Sequence, residues 1–294
     1  MHARSDARHR VVNAETSGVD DKGVAEAALG GYTPLLFAAR HGELDSARLL
    51  LAAGADVNDV APEGTSALVV AAHGGHGALA TFLLEQGADP NAAGAGYTAL
   101  HAAILRGDAE LVKALLAHGA DPTAPLEKGT PARRASPDYV LDYRLVGATP
   151  LWLAARFAEP GIMRTLAAHG ADSLSALPDG TTAVIAAIQA TRRTEPGFAA
   201  DPVEDERVIL DAVTVALELG VDIQAANENG DTALHIAASR RLDTIVQFLA
   251  AAGANLEAKN KKDQTPLGLV TTGANSGTTP NTTADLLRKL GAKE

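Results

Sequence analysis

The sequence predicts an all-α fold, a solenoid of about seven stacked helix-turn-helix units. Two observations carry this prediction. A string such as "GYTPLLFAARHG" returns at a spacing of 32 or 33 residues, and a second string, "LLxxGAD", follows it at a constant distance in most copies. Repeats of this length are typical of stacked supersecondary units, because one unit cannot bury its apolar face by itself.

Two anchor residues locate each unit. The first anchors are Thr33, Ser66, Thr98, Thr149, Thr182, Thr232 and Thr265. The second anchors, which close the units, are Gly54, Gly87, Gly119, Gly170, Gly220, Gly253 and Gly291. Two spacings are longer by about half a unit. They place one insertion between units, at 125–146, and a second inside the fifth unit, at 191–207.

The segment after each Thr anchor predicts a first helix. Thr is a favourable N-cap, and the Pro of "TPL" suits the first helical turn, where its missing N–H needs no partner. In the first unit, Gly42 then supplies a left-handed stop.

The segment before each Gly anchor predicts a second helix. In "LDSARLLLAAG", Leu44, Ala47, Leu50 and Leu51 recur at helical spacing, and Gly54 ends the helix. The following "GADVN" predicts a tight turn. Helices of two or three turns are marginal by themselves, so their stability must come from neighbouring units.

Composition limits the possible functions. The chain has 36 acidic and 25 basic residues, a formal net charge of −11, so we expect no nucleic-acid binding. It contains no cysteine, which excludes disulfides, thiolate metal sites and thiol nucleophiles. No apolar run approaches the roughly 18 residues of a membrane span. We therefore expect no membrane partner and a cytoplasmic location.

The strings "G-x-T-P-L-x-x-A-A" and "L-L-x-x-G-A-D" resemble the ankyrin repeat, over about Gly30 to Ala292. The chain is similar to bacterial ankyrin-repeat proteins with irregular insertions. The resemblance implies one domain over 30–292, preceded by a tail or truncated interior segment over 1–29. Unit six departs from the pattern with Arg241 where Gly is expected, and the polar seventh unit suits a terminal cap.

Histidines and aspartates are the candidate metal ligands. The resemblance implies that His101 and His235 are structural residues of the turn. His73 and His76 lie three apart, but glycines interrupt the helix and no third ligand is evident, so we expect exposed polar residues. Asp56, Asp89, Asp121 and Asp172 recur once per unit, as turn aspartates that accept backbone N–H bonds do. We expect no metal and no cofactor.

The resemblance also implies where a partner binds. In ankyrin stacks it is usually the concave face, formed by the projecting turns and the ends of the first helices. Arg and aromatic residues, which dominate interface energetics, are frequent at these positions of this chain. The candidates are Tyr32, Arg40, His41, His73, Tyr97, Arg106, Arg156, Phe157 and Arg240.

The insertions extend this set. The first adds Arg133, Arg134, Arg144, Tyr139 and Tyr143, and its prolines argue against a continuous helix. We interpret it as an ordered finger that widens the binding face, with a disordered loop as the alternative. The second reads as a mobile loop that leads into a helix from Asp205, either a short piece or a lengthened second helix.

The sequence therefore predicts a monomeric protein–protein interaction module that binds an acidic surface or an exposed carboxylate. The alternative is a small-molecule or enzymatic site formed by Arg, Tyr and His side chains of the same face. No phosphate-binding loop, HExxH or Ser elbow is present, and we expect no catalytic residue. A third possibility is that the units position other domains of a longer protein.

Overall fold

The computed structural model describes residues 8–11, 26–29, 31–130, 140–190, 202–272 and 282–293. Two short strands, β1 (Arg8–Val11) and β2 (Glu26–Leu29), pair in antiparallel register, and the remaining elements of these ranges are helices. The chain divides into two compact units. Unit 1 comprises Met1–Asp121 with Lys128–Arg133, and unit 2 comprises Pro122–Glu127 with Arg134–Glu294. The single domain expected over 30–292 stays a prediction.

Unit 1 contains three repeats, each built from a first and a second helix. The helices are α1 (Pro34–His41), α2 (Leu44–Ala52), α3 (Ala67–Gly74), α4 (Gly77–Glu85), α5 (Ala99–Arg106) and α6 (Ala109–Ala117). First helices pack on first helices, α1 on α3 and α3 on α5, while α4 packs on α2 and α6. Leu83, with no exposed surface, and Leu116, 8% exposed, lie in the core as the helical spacing indicates.

Unit 2 continues the pattern. Its helices are α7 (Pro150–Arg156), α8 (Pro160–Ala168), α9 (Ala183–Ile188), α10 (Pro202–Glu218), α11 (Ala233–Ser239), α12 (Asp243–Ala251), α13 (Pro266–Thr272) and α14 (Thr282–Leu290). α9 packs between α7 and α11, and α10 packs between α8 and α12. The long α10 corresponds to the lengthened second helix, and it begins three residues before Asp205. Residues 191–201 of the second insertion lie outside the described ranges.

The caps form as the sequence predicts. The Thr33 hydroxyl accepts a hydrogen bond from the Leu36 N–H, and the Ser66 hydroxyl accepts one from the Val69 N–H. Gly42 ends α1 at a φ of 72°, in the left-handed region. Arg241 adopts the same conformation at a φ of 57° without being glycine, so this repeat end is strained.

Two histidines are structural, as expected. The Thr98 N–H donates to Nδ1 of His101 over 3.1 Å, and the His101 side chain is fully buried. The Thr232 N–H donates to Nδ1 of His235 over 3.2 Å, and Nε2 of His235 lies 3.0 Å from the Gln264 carbonyl oxygen. Each ring therefore completes a capping box at the start of a first helix.

The recurrent aspartates are turn residues, also as expected. Oδ1 of Asp56 accepts the Asn58 N–H, and Oδ1 of Asp89 accepts the Asn91 N–H. The Asn91 side chain then links neighbouring repeats: its amide donates to the Gly119 carbonyl over 2.9 Å, and its carbonyl accepts the Asp121 N–H over 2.7 Å. These inter-repeat bonds, which we call the amide ladder, join successive turns.

Candidate partner-binding surface

In unit 1, the end of α1 carries the most accessible basic side chains among the predicted residues. Arg40 and His41 are both exposed and follow directly on the buried Ala39. The backbone carbonyl of Arg40 lies 3.2 Å from Nε2 of His76, whose ring fills the space beside Gly42. His76 of the second repeat therefore holds the end of α1 in place, while the side chains of Arg40 and His41 remain at the surface.

Arg106 is the last residue of α5, the position that His41 occupies in α1, but it has a structural role. Its Nε donates to the His73 carbonyl over 2.7 Å, at the end of the preceding first helix. A cation at that point compensates the negative end of the helix and satisfies one of its free carbonyl groups. Arg106 is half-buried, so its guanidinium group caps the helix and is only partly accessible to a partner.

His73 and Tyr97 are buried, contrary to the expectation that they lie on a binding face. Their exposed fractions are 6% and 1%, and their ring centroids lie 6.0 Å apart. Tyr97 packs inside the stack of first helices, where a large ring stabilises the core. Neither side chain offers appreciable surface to a partner, so neither belongs to the candidate surface.

Tyr32 occupies the position equivalent to Tyr97 in the first repeat and is half-buried. Its hydroxyl donates to the Glu63 carboxylate over 2.7 Å, and its ring lies 5.7 Å from that of Phe37. Part of the Tyr32 surface is available, but an acidic group is already bound to its hydroxyl.

In unit 2, Arg156 and Arg240 belong to the ends of α7 and α11. Burial lowers the pKa of Arg156, and the positive charge of Arg240 lowers it further. Burial also lowers the pKa of Arg240, whose Nη1 donates to the carbonyls of Ile188 and Ala190 at the end of α9. Arg240 thus caps the preceding first helix as Arg106 does.

Phe157, the residue after Arg156, is half-buried. It directly follows the last residue of α7, and the left-handed conformation that glycine adopts at this repeat end in the first three repeats falls on the next residue, Ala158, at a φ of 53°. Only a part of its ring can contact a partner.

The first insertion ends in an ordered turn, which we call the Tyr143 turn (residues 140–146). The Leu126 N–H donates to the Ala148 carbonyl over 2.9 Å, and the Gly147 N–H donates to the Leu126 carbonyl over 2.8 Å. These two bonds close the base of the insertion, while Leu141 is fully buried. Residues 140–146 therefore form an ordered turn, while the recognition finger over the whole insertion stays a prediction. Arg133, Arg134 and Tyr139 lie outside the described residues.

Tyr143 is the most exposed aromatic side chain of the described residues, at 72%. It begins a single 3₁₀ turn, Tyr143–Leu145, which Asp142 caps by accepting the Arg144 N–H over 2.8 Å. The Arg144 guanidinium carbon lies 5.5 Å from the centroid of the Tyr143 ring. A hydrogen bond with the Tyr143 side chain and the charge of Asp142 raise the pKa of Arg144, so it remains cationic.

The sequence placed Arg144 in the first insertion beside Tyr143, and the structure puts both side chains at the surface. The sequence analysis missed three exposed apolar side chains: Phe37, Leu49 and Leu174 are 45%, 73% and 64% exposed. Leu174 occupies the turn position of Asn91 and of Asn58, whose side-chain amide donates to the Gly87 carbonyl over 3.3 Å. The alignment of the repeats therefore showed that this position of unit 2 lacks an amide side chain. Leu49 lies on the first repeat, which has no earlier repeat to cover it among the described residues.

Comparisons with known proteins agree with this architecture. A family model described as ankyrin repeats in three copies matches residues 35–125, and a single ankyrin-repeat model matches 229–261. The human ASB11 ankyrin repeat domain is 26% identical, with a TM-score of 0.66, over 90% of this chain and all of that chain. The ankyrin repeat domain of Bcl-3, a member of the IkappaB family, is 24% identical, with a TM-score of 0.59, over 88% and 99% of the two chains.

The chain is an ankyrin-repeat protein, and its fold is an ankyrin-repeat solenoid. Proteins of this family are generally non-enzymatic interaction scaffolds, so its broad function is protein binding. Within the described residues, no group of three or more His, Asp or Glu side chains could hold a metal ion. In the same residues, no helix is both long and apolar enough to cross a membrane.

Proposed function

We propose that the protein is a cytoplasmic interaction module that binds an acidic segment of a partner protein through the Tyr143 turn. The exposed pair of Tyr143 and Arg144 carries this proposal. An aromatic ring supplies contact area with few rotatable bonds, and a guanidinium supplies forked hydrogen bonds to a carboxylate. These two residue types dominate measured interface energetics.

The local geometry supports binding by a preformed turn. Leu141 anchors the turn in the core, and the two backbone bonds of Leu126 hold its base. Tyr143 and Val146 both face solvent, so the core of the repeats does not depend on a tyrosine at position 143. A partner would therefore meet side chains whose positions are already fixed, which lowers the entropic cost of binding.

Charge supports an acidic partner. The whole chain carries −11, so non-specific attraction to acidic proteins is absent and a local basic site is needed. Arg144 is such a site in unit 2, and Arg40 with His41 is a second basic site in unit 1. Arg106 and Arg240 contribute less, because each already donates to carbonyls of the preceding repeat.

The proposal is tested by capture of interacting proteins from a lysate with the immobilised chain, followed by calorimetry with one captured partner. Arg144→Glu and Tyr143→Ala should each weaken binding by on the order of 2 kcal/mol, as hot-spot residues do. The matched control is Arg164→Glu, because Arg164 is an exposed arginine of α8 in the same unit and forms an ion pair with Glu218.

Binding that Arg164→Glu reduces as strongly as Arg144→Glu would show a general charge effect and no specific site. Unchanged affinity in both Tyr143 turn variants would rule the turn out as the binding site. A thermal melt of each variant separates loss of binding from loss of folding.

A further inference from the structure

The first repeat leaves an apolar cleft open on the outer side of α1 and α2. We call it the N-terminal cleft; it is lined by Pro34, Phe37, His41, Glu43, Leu49 and Leu50, among others. Phe37 and Leu49 are 45% and 73% exposed. Single exposed apolar residues are common on protein surfaces. Two large apolar side chains in one cleft form a contiguous patch, and such patches mark interaction sites.

Equivalent positions in the next two repeats are buried. Phe37 corresponds to Val70 of α3, which is 4% exposed, and to Ala102 of α5, which has no exposed surface. Leu50 corresponds to Leu83 and Leu115, both fully buried. Each of these is covered by the preceding pair of helices, so the N-terminal cleft has the shape and polarity of a surface that receives a helix pair.

The cleft is held in its open form by side-chain contacts. The Tyr32 ring supports Phe37 at a centroid distance of 5.7 Å, and the Tyr32 hydroxyl is fixed on the Glu63 carboxylate. Phe37 is therefore held at the cleft by contacts within unit 1 while 45% of its surface stays exposed, and an occupant does not need to order it on binding.

In the last repeat, the described residues of α13 and α14 present charged side chains and no apolar face that matches the cleft. The exposed positions of α14, the last helix, include Asp285, Arg288 and Lys289. Arg288 and Asp285 form an ion pair at 3.2 Å. The described part of α13 and α14 contributes no exposed large apolar side chain, so head-to-tail association would place a charged surface on the N-terminal cleft.

We propose that the N-terminal cleft pairs with the same cleft of a second copy of this chain, in a two-fold symmetric head-to-head dimer. In such an isologous contact, residue i of one copy meets residue j of its partner, and j meets i. The cleft carries an acid, Glu43, and a base, His41, on its lining. Two-fold pairing lets each His41 face the other copy's Glu43 while Phe37 and Leu49 are buried together.

The dimer is weak and depends on concentration. α1 and α2 have eight and nine residues, so each is only about 12–14 Å long. The area that they can bury falls below the roughly 800 Å² per partner of a standard interface. Self-association should therefore appear in the upper micromolar range, and the monomer expected from the sequence should dominate at lower concentration.

Sedimentation velocity of the full chain from about 5 to 500 µM tests the proposal. Wild type should shift from monomer to dimer over this range, and Leu49→Glu should raise the dimer dissociation constant by about tenfold or more. The control is Leu174→Glu, which places the same charge on a leucine that is 64% exposed in a turn of unit 2. Wild type that stays monomeric throughout, or equal loss in both variants, would overturn the proposal.

A charge reversal tests the symmetry. His41→Glu and Glu43→Lys should each weaken the dimer, and the double variant should restore it, because a carboxylate and an ammonium group then face each other across the two-fold axis. Additive loss in the double variant would exclude this pairing.

The absence of cysteine allows a covalent test that does not depend on affinity. Ser46→Cys introduces one thiol in the cleft lining, and mild oxidation should then join two copies by a disulfide. Ala176→Cys, at an exposed position of a unit 2 turn, is the control. Cross-linking at equal rates in both variants would indicate random collision and would count against the head-to-head contact.

Discussion

The side chain of Arg106 joins two repeats of unit 1: its Nε donates a hydrogen bond to the backbone carbonyl of His73 over 2.7 Å. His76 acts in the same way on the Arg40 carbonyl, and Arg240 acts so on the end of α9 in unit 2. Basic side chains near the ends of first helices therefore cap the helix of the preceding repeat. This role reduces the number of arginines that are available to a partner.

Removing one of these caps should destabilise the stack. We expect Arg106→Ala to lower the free energy of unfolding by about 1.5–3 kcal/mol, because a charged donor is lost and a carbonyl at a helix end loses its partner. Arg40→Ala is the control, since Arg40 lies in the last turn of α1 and its side chain is exposed. Its effect should stay below about 0.5 kcal/mol in urea denaturation. Equal effects would mean that the cap contributes nothing.

Replacing Arg241 by glycine should stabilise unit 2. Arg241 has a φ of 57°, which costs a residue with a Cβ atom about 1–2 kcal/mol. Glycine removes this strain but adds about 0.4–1 kcal/mol of unfolded-state entropy, so we expect a net gain of about 0.5–1 kcal/mol. Arg241→Ala keeps the Cβ atom and should give no gain. A higher melting temperature for both variants would assign the effect to the arginine side chain instead.

The core of unit 1 should respond strongly to a cavity. Leu83 is fully buried in α4, and truncation to alanine should cost about 2–5 kcal/mol. Leu174→Ala removes the same atoms from a side chain that is 64% exposed and should cost less than about 0.5 kcal/mol. Circular dichroism during urea denaturation measures both, and a small loss for Leu83→Ala would place that residue outside the cooperative core.

The helices could be predicted from the sequence because their ends depend on nearby residues. The burial and the contacts of individual side chains could not, because they depend on residues far away in the sequence. Thr33 and Gly42 determine the ends of α1 through bonds to residues three or four positions away, so the sequence contains their roles. Tyr32 and Tyr97 share one repeat position, yet only Tyr97 is buried between neighbouring repeats. The partner of Arg106 lies 33 residues earlier, and no local pattern indicates whether such a side chain reaches back or outward.

Association with an acidic partner should slow as salt is added. Arg144 and Arg40 are exposed, and exposed charges are screened beyond about 8 Å at physiological ionic strength. Between low and high salt we expect the association rate constant to fall by about tenfold or more, with a smaller change in the dissociation rate. Stopped-flow measurements with a captured partner test this. In Arg144→Gln the salt dependence should become shallower, and an unchanged slope would show that Arg144 does not take part.

The amide ladder should couple neighbouring turns, and Asn91→Leu tests it. The substitution removes two hydrogen bonds, the one that the Asn91 amide donates to the Gly119 carbonyl and the one that it accepts from the Asp121 N–H. Leucine is chosen because unit 2 has Leu174 at the equivalent position. We expect a loss of about 1–2 kcal/mol, because part of the broken bonding is replaced by water at this exposed turn. Hydrogen exchange at the Asp121 amide should accelerate more than exchange in the middle of α5, which the substitution does not touch. Glu85→Leu adds an exposed leucine to the neighbouring helix without removing a ladder bond, and it should leave the exchange of Asp121 unchanged. An Asp121 amide that exchanges at the wild-type rate in Asn91→Leu would show that the turns are held by the packing of the helices and that the ladder adds no coupling.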